Sequence, residues 1–517
     1  MKLPGGNRVL PIAALTLIVV VFYATAAGHF SYTPDDTYIY LRFAKNVAAG
    51  EGMSFNPGRP VYGFTGPLWM FVIAGGIAGS VDPLLAAKVV DLLCASLALL
   101  VLFFLAYELA RDTIAALAAT ACFSFDGWFL RWTGTGMESS LAVLLVLGVF
   151  LAVVRNRYLY AVVLLAFLAM TRPEAVLLLP FVLADLVMNS RNRKYALNKA
   201  AALLLGFGAL MLPWVLAASR AFGSCWPNTA SAKSGFLSPG QDIPASLRTI
   251  GGMLGATEAV SLALIIFGAA ALIFRLRHRG EREDEASMEL FFLRRQTVLC
   301  GGWCITLAAF YVVSDMNVVT RYLLLIIPII VALGFSLGSW ALYRSRLARY
   351  RPALLLILML AAIGGNEAVY RGNILPGIRR FEAGMETSLI PIAEWFRGNV
   401  SPGTAVVAAD IGAIGYIGNV DVWDPAGLIT PEALPLLRGG RRPYDIVREK
   451  LYERYIRAAY VVDRAEEPAR LKDDSLLVPV MTKAFEGMSL AKNETYYYTV
   501  YRVRNAEPPA QSGGKKP

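Results

Sequence analysis

Asp35 and Asp36 stand side by side just after the first long apolar stretch of the chain, residues 9–28. That stretch is long enough to cross a bilayer, so the pair lies within a few residues of a membrane surface, where a carboxylate without a task is costly. Two tasks suit the residue type. An Asp ahead of the run Tyr38–Ala44 can cap a helix lying on the surface, helped by the helix dipole. It can also accept a proton from a hydroxyl as a general base, since neighbouring charge and hydrogen bonds tune a carboxylate pKa. Only two histidines, His29 and His278, and five cysteines are present, four of the cysteines inside apolar runs. Cys225 is expected outside, with no evident outer partner. No disulfide framework and no Cys/His metal spacing is visible, so base chemistry falls to Asp and Glu.

The elements that hold such residues must be membrane helices. Of 517 residues 56% are hydrophobic and 17% charged, with a mean hydropathy of +0.52. A soluble domain carries about 25% charged residues. The net charge of +11 is no nucleic-acid signature. The basic residues sit in short clusters between apolar runs, as membrane topology demands, so the expected partner is the bilayer and not nucleic acid. Ala24-Thr25-Ala26 loosely resembles a signal-peptidase site, but the long apolar stretch and the spans that follow favour retention of residues 9–28 as a span.

Spans are expected over 9–28, 84–108, 112–130, 138–154, 157–171, 173–189, 196–219, 258–275, 297–314, 320–343 and 352–368, about eleven in all. The stretch 66–80 is short and Gly-rich. If it does not cross and the N-terminus is cytoplasmic, the basic clusters around Arg111, Arg155/Arg157, Arg191–Lys199, Arg275–Arg295 and Arg344–Arg351 all fall inside. It is therefore read as a juxtamembrane helix on the outer side. From about residue 371 apolar runs shorten to strand length. Ile390–Phe396 and Asp445–Arg457 read as helical; Thr404–Ala409, Asp421–Trp423, Ala458–Asp463 and Thr495–Val503 read as strand or short apolar run. The expected organisation is a membrane domain 1–370, with first outer loop 30–66 and juxtamembrane helix 66–80, then an extracytoplasmic α/β domain 371–505, then a disordered tail 506–517.

The acidic pair is followed by Gly-Met-Ser-Phe-Asn-Pro-Gly and by Tyr62-Gly63-Phe64-Thr65-Gly66-Pro67-Leu68-Trp69. Together, residues 33–70 resemble the first outer loop of GT-C-type polytopic membrane glycosyltransferases. They are similar in particular to the family containing the mycobacterial terminal β-arabinofuranosyltransferase and its bacterial relatives. Further matches to that family follow in order: Thr135-Gly136-Met137-Glu138, Thr171-Arg172-Pro173-Glu174, Trp226-Pro227-Asn228-Thr229 with Ala232-Lys233, Arg321-Tyr322 with Pro328, and Asp410–Tyr416. Trp423-Asp424-Pro425-Ala426 departs from the family's commoner Asp-Leu/Thr-x-Gly-Leu pattern.

The resemblance implies a polyprenyl-phosphate monosaccharide donor and transfer to a glycan, lipid or protein acceptor on the outer face of the inner or plasma membrane. It makes one Asp of the pair the expected base, Asp35 with Asp36 as its orienter being favoured slightly over the reverse. Arg172, Lys233 and Arg321 are the expected phosphate contacts, because Arg binds phosphate with paired hydrogen bonds and Lys acts as a point charge. Tyr38, Tyr62 and Trp69 are candidates to stack on sugar faces, with anchoring at the membrane interface the commoner role of each such ring taken alone. Glu138, Glu174 and Asn228 are expected at the substrate, with Glu174 also a neighbour partner for Arg172. No cofactor is expected to be obligatory; a divalent metal beside the acidic pair is left open, since some enzymes of this architecture use one. The competing classes are a transporter of lipid-linked sugars and a non-catalytic scaffold. The absence of visible inverted repeats weighs against transport.

Overall fold

The computed structural model describes residues 9–228, 242–277, 295–314, 318–488 and 495–504. Expectations for Lys233, Thr229, Ala232 and the tail 506–517 lie outside these. Two compact units emerge: residues 1–30, 88–214 and 234–375 form one; residues 31–87, 215–233 and 376–517 form the other.

The first unit is helical. By length and composition, five helical runs could cross a membrane: Val9–Ala27, Pro83–Ala110, Arg193–Phe222, Ile243–Arg275 and Ala348–Asn399, the last two running past their expected bounds. Among the described residues there are six shorter apolar helices, five of them in this unit and Pro67–Ala78 in the second. Large apolar side chains point outward, Leu10, Leu205, Ile266 and Ile305 each 70% exposed or more, which is stable only where the surrounding medium is itself apolar. Several expected spans are broken. The segment 112–130 becomes Thr113–Ser124 and Gly127–Trp132, because the Asp126 carboxylate accepts the Phe129 N–H at 2.7 Å and starts a new helix. The segment 173–189 opens as a 3₁₀ turn, Pro173–Leu178, before Leu179–Met188. The segment 320–343 divides into Thr320–Leu323 and Ile327–Tyr343. Small residues let Ile243–Arg277 and Ile327–Tyr343 pack closely: a Cβ on Gly334 would lie 2.6 Å from the Ser261 carbonyl oxygen, and one on Gly338 would lie 2.4 Å from Leu264.

The second unit is built on a five-stranded mixed sheet: β1 (Ala405–Ala408), β2 (Asp421–Trp423), β3 (Tyr460–Ala465), β4 (Leu477–Glu486) and β5 (Thr495–Val503), in the order β2-β1-β3-β5-β4. β1 runs parallel to β2 and β3; β5 runs antiparallel to β3 and β4. β4 was not anticipated. It is an edge strand with a proline and a register shift between Pro479 and Met481, both features that hide a strand in sequence. The expected helix Asp445–Arg457 is shorter, Pro443–Arg448, followed by a 3₁₀ turn Leu451–Arg454 after Lys450 takes a left-handed φ of 52°.

The first loop folds with this sheet, in the same compact unit as residues 376–517, instead of with the membrane helices as the expected boundaries had it. Its helix Asp35–Ala48 is buried along most of its length, Arg42 and Asn46 included. Arg42 donates to the Phe55 carbonyl at 3.0 Å and to the Asn419 side chain at 2.7 Å. The Asn56 amide donates to the Val422 carbonyl at 2.8 Å and accepts from the Val422 N–H at 2.9 Å, so it pairs with β2 as a strand would. Asn56→Ala leaves two backbone groups of β2 without partners and is expected to cost about 1–3 kcal/mol per stranded group, lowering the thermal midpoint of the purified protein. An unchanged midpoint would show that this pairing does not hold the loop.

Candidate active site

The Asp35 carboxylate reaches the backbone at the start of the short helix Gly412–Tyr416. Oδ2 accepts from Gly412 N–H and Oδ1 from Ala413 N–H, both at 2.8 Å. Only glycine fits at 412, because a Cβ there would lie 2.0 Å from the Asp35 carbonyl oxygen and 2.8 Å from its carboxyl carbon. The Asp35 carboxyl is pushed up to about 7: loss of solvent raises it most, the Asp410 charge adds to this, and the two N–H donors pull it partly back. Each oxygen accepts one backbone hydrogen bond and keeps lone-pair capacity for a further proton. Asp36 is half-buried on the same helical turn.

Asp410 is held in turn. Arg464 Nη1 donates to its two oxygens at 3.1 and 3.0 Å, and the Tyr498 hydroxyl donates at 2.7 Å. Arg464 and Tyr498 are direct partners across β3 and β5, so both side chains emerge on one face. Neither was anticipated, since their alignment exists only once the strands pair. Asp424, at the departure from the family pattern, is fully buried and organises its own loop, accepting from Ala426 and Leu428 N–H at 2.7 and 2.6 Å.

The three aromatics expected to stack on sugars are buried in protein. Trp69 has no exposed surface and Tyr62 and Tyr38 have 4% and 6%. Tyr62 stacks on Phe222 at 4.9 Å, and Tyr38 lies 6.1 Å from Tyr416. In this structure the rings pack the loop, because a half-apolar loop fixed to a sheet must bury its own aromatic faces. Asn228 joins this cluster through its N–H, which donates to the Tyr62 carbonyl at 2.9 Å.

Within the helical unit a second group of expected residues comes together. The loop Thr133–Glu138 turns through Gly134 and Gly136, both at positive φ, and Asp91 Oδ2 accepts the Thr135 and Gly136 N–H groups at 3.0 and 3.2 Å. This presents Glu138 to Arg172, with Glu138 Oε1 2.9 Å from Arg172 Nη2 and both side chains buried. The Arg172 and Arg321 guanidinium groups lie 5.1 and 5.6 Å from the Tyr322 ring centre, and Arg321 also lies 5.3 Å from that of Trp132. Glu174 takes a different partner from the one expected: its Oε1 accepts from the Tyr311 hydroxyl at 3.0 Å. The neighbour pair Glu174–Arg172 thus gives way to Glu138–Arg172, because the 3₁₀ turn after Arg172 carries Glu174 toward Tyr311. Glu138 Oε2 is buried with no hydrogen-bond donor among the described residues, which leaves an acceptor position open to a hydroxyl. Among the described residues no three His, Cys, Asp or Glu side chains converge as a metal would require.

Residues 377–501 match a domain family described as a domain of unknown function (DUF8728). No curated protein sequence matches the chain. Among solved structures, the chain is similar to ArnT from Cupriavidus metallidurans bound to undecaprenyl phosphate, with a TM-score of 0.57 at 14% identity over 96% of this chain and 98% of that one. The apo state of the same protein gives 0.56 at 15% identity over 94% and 98%. The oligosaccharyltransferase AglB from Archaeoglobus fulgidus, in complex with an inhibitory peptide and a dolichol-phosphate, gives 0.54 at 14% identity over 88% of this chain and 69% of that one. The chain thus has the GT-C fold, membrane helices with a small C-terminal sheet domain. The likeness is one of fold; the arabinofuranosyltransferase relationship stays a sequence resemblance.

The Glu138–Arg172 pair yields a direct expectation. Removing one partner of a buried ion pair strands a charge at about 3–5 kcal/mol. Glu138→Gln and Arg172→Gln are each expected to lower the thermal midpoint, and the double variant by less than the sum of the two. Additive losses would mean that the two side chains do not act on each other.

Proposed function

We propose that this protein is an integral-membrane glycosyltransferase that moves a monosaccharide from a polyprenyl-phosphate donor to an acceptor hydroxyl on the extracytoplasmic face. The observation that carries the reading is the Asp35 carboxylate, held by two backbone N–H groups and poised near neutrality, in a chain with the GT-C fold. Support for the donor class comes from the undecaprenyl phosphate and dolichol-phosphate in the ArnT and AglB structures.

In this reading Asp35 takes the proton of the acceptor hydroxyl. The oxygen attacks the anomeric carbon, the new C–O bond forms as the bond to phosphate breaks, and the polyprenyl phosphate leaves as an anion. A single displacement inverts the anomeric centre. The leaving phosphate needs cationic stabilisation more than a strong acid, which is the role given to Arg172, Arg321 and Lys233. Asp36 orients the base, and Glu138 Oε2 accepts a substrate hydroxyl. A base with a pKa near 7 is half ionised at working pH and still basic enough to pull a hydroxyl proton in the transition state.

The pH dependence follows from that value. A base must be deprotonated, so kcat rises with pH through a midpoint near 7 and falls away below it. Asp410→Asn removes a negative neighbour and leaves the Arg464 charge uncompensated, so the midpoint moves to lower pH. Asp35→Asn is expected to reduce transfer by about 100-fold or more while donor binding is kept. The check is transfer from labelled polyprenyl-phosphate sugars by protein reconstituted in lipid. Full activity of Asp35→Asn, or a flat profile from pH 5 to 8, would remove Asp35 from the mechanism. Labelled lipid crossing between leaflets without transfer would move the protein to transport.

A further inference from the structure

The helical unit contains a cavity of ≈ 490 Å³ that none of the proposed chemistry uses. Its size lies within the range of about 300–1,000 Å³ typical of ligand sites. Its charged lining is Asp185, Arg193 and Arg295. Asp185 is already neutralised: Arg295 donates to its two oxygens at 2.8 and 2.9 Å, and the Tyr158 hydroxyl donates to it at 2.9 Å. Arg295 is also held by the Val153 carbonyl at 2.6 Å and the Asn156 side chain at 3.0 Å, so it forms a fixed, saturated wall.

Arg193 differs. It is exposed at the first turn of Arg193–Phe222 and makes no ion pair among the described residues. One acid against two arginines leaves the lining with a net charge of +1, and Arg193 is the cation of the set without an acidic partner among the described residues. Such a set fits an anion. Apolar, outward-facing side chains also line it: Met188, Leu197 and Val298 are 42%, 57% and 39% exposed. A free phosphate gains nothing from these walls, whereas the acyl chains of a lipid do.

We infer that this cavity binds the headgroup of an anionic phospholipid, with Arg193 on the phosphate and the acyl chains along Met188, Leu197 and Val298. Basic pockets between membrane helices recognise lipid headgroups by this combination of cation and apolar wall. The site uses no residue assigned to sugar transfer, so it stands or falls independently of that activity.

The test is lipid titration of the delipidated, full-length protein, read by thermal midpoint and by native mass spectrometry of retained lipid. Phosphatidylglycerol, phosphatidylcholine and inorganic phosphate are compared. Phosphatidylglycerol is expected to bind in preference to phosphatidylcholine. Arg193→Gln is expected to weaken phosphatidylglycerol about five-fold, the value of one cation at a lipid surface, and to leave phosphatidylcholine unchanged. Leu197→Glu, which places a negative charge on the acyl wall, is expected to weaken it as well, and Lys194→Gln, outside the lining, to change it less. Unchanged phosphatidylglycerol binding in both pocket variants, an equal loss in Lys194→Gln, or an equal midpoint rise with inorganic phosphate alone would overturn the proposal.

Discussion

A carboxylate that meets no lysine or arginine among the described residues must be solvated by something else, and for Asp35 that is the backbone. Two N–H groups, from Gly412 and Ala413, approach its oxygens at 2.8 Å, a distance available only because residue 412 has no side chain. The rest of the sheet unit depends on this closeness. It fixes the start of the helix Asp35–Ala48, and Arg42, Asn46 and Asn56 then fasten the remainder of the loop to its neighbours. Two donors and two acidic neighbours, Asp410 and Asp36, also set the charge state. Without the N–H groups desolvation would hold the carboxyl protonated to higher pH; with an arginine in place of Asp410 it would ionise far lower and lose its basicity.

The helical unit meets the opposite difficulty, charges in surroundings that must stay largely apolar. Its solution is pairing. Glu138 and Arg172 neutralise each other, aromatic rings lie beside the arginines, and Glu174 is met by a tyrosine hydroxyl. Asp185 and Arg295 do the same elsewhere in that unit. Pairs of this kind seldom add net stability, since desolvation offsets attraction, and their value lies in fixing one geometry. That geometry leaves Glu138 Oε2 buried without a hydrogen-bond donor among the described residues.

Much of this was legible in the sequence. Hydropathy and the basic clusters marked a polytopic membrane protein, and strand-length apolar runs marked the sheet domain. The motifs around Asp35, Glu138, Arg172 and Arg321 located residues that the structure groups within each unit. What escaped was whatever depends on pairing at a distance. Arg464 and Tyr498 become neighbours of Asp410 only through the register of β3 with β5. Gly412 stood in the Asp410–Tyr416 match, but its close approach to Asp35 was invisible with 377 residues between them. Tyr38, Tyr62 and Trp69 looked available because their spacing is that of a surface helix and loop; burial against Phe222 and Tyr416 is tertiary. The broken spans have local causes, a capping Asp126 and helix-starting prolines at 173, 180 and 328, which average hydropathy does not register.

The most direct measurement is a cryo-electron microscopy structure of the full-length protein in lipid with polyprenyl phosphate bound. The account predicts phosphate density within hydrogen-bonding reach of Arg172 or Arg321, with the Asp35 carboxylate still on the Gly412 and Ala413 N–H groups. Phosphate density away from both arginines, or no bound polyprenyl phosphate at concentrations that saturate ArnT, would contradict it.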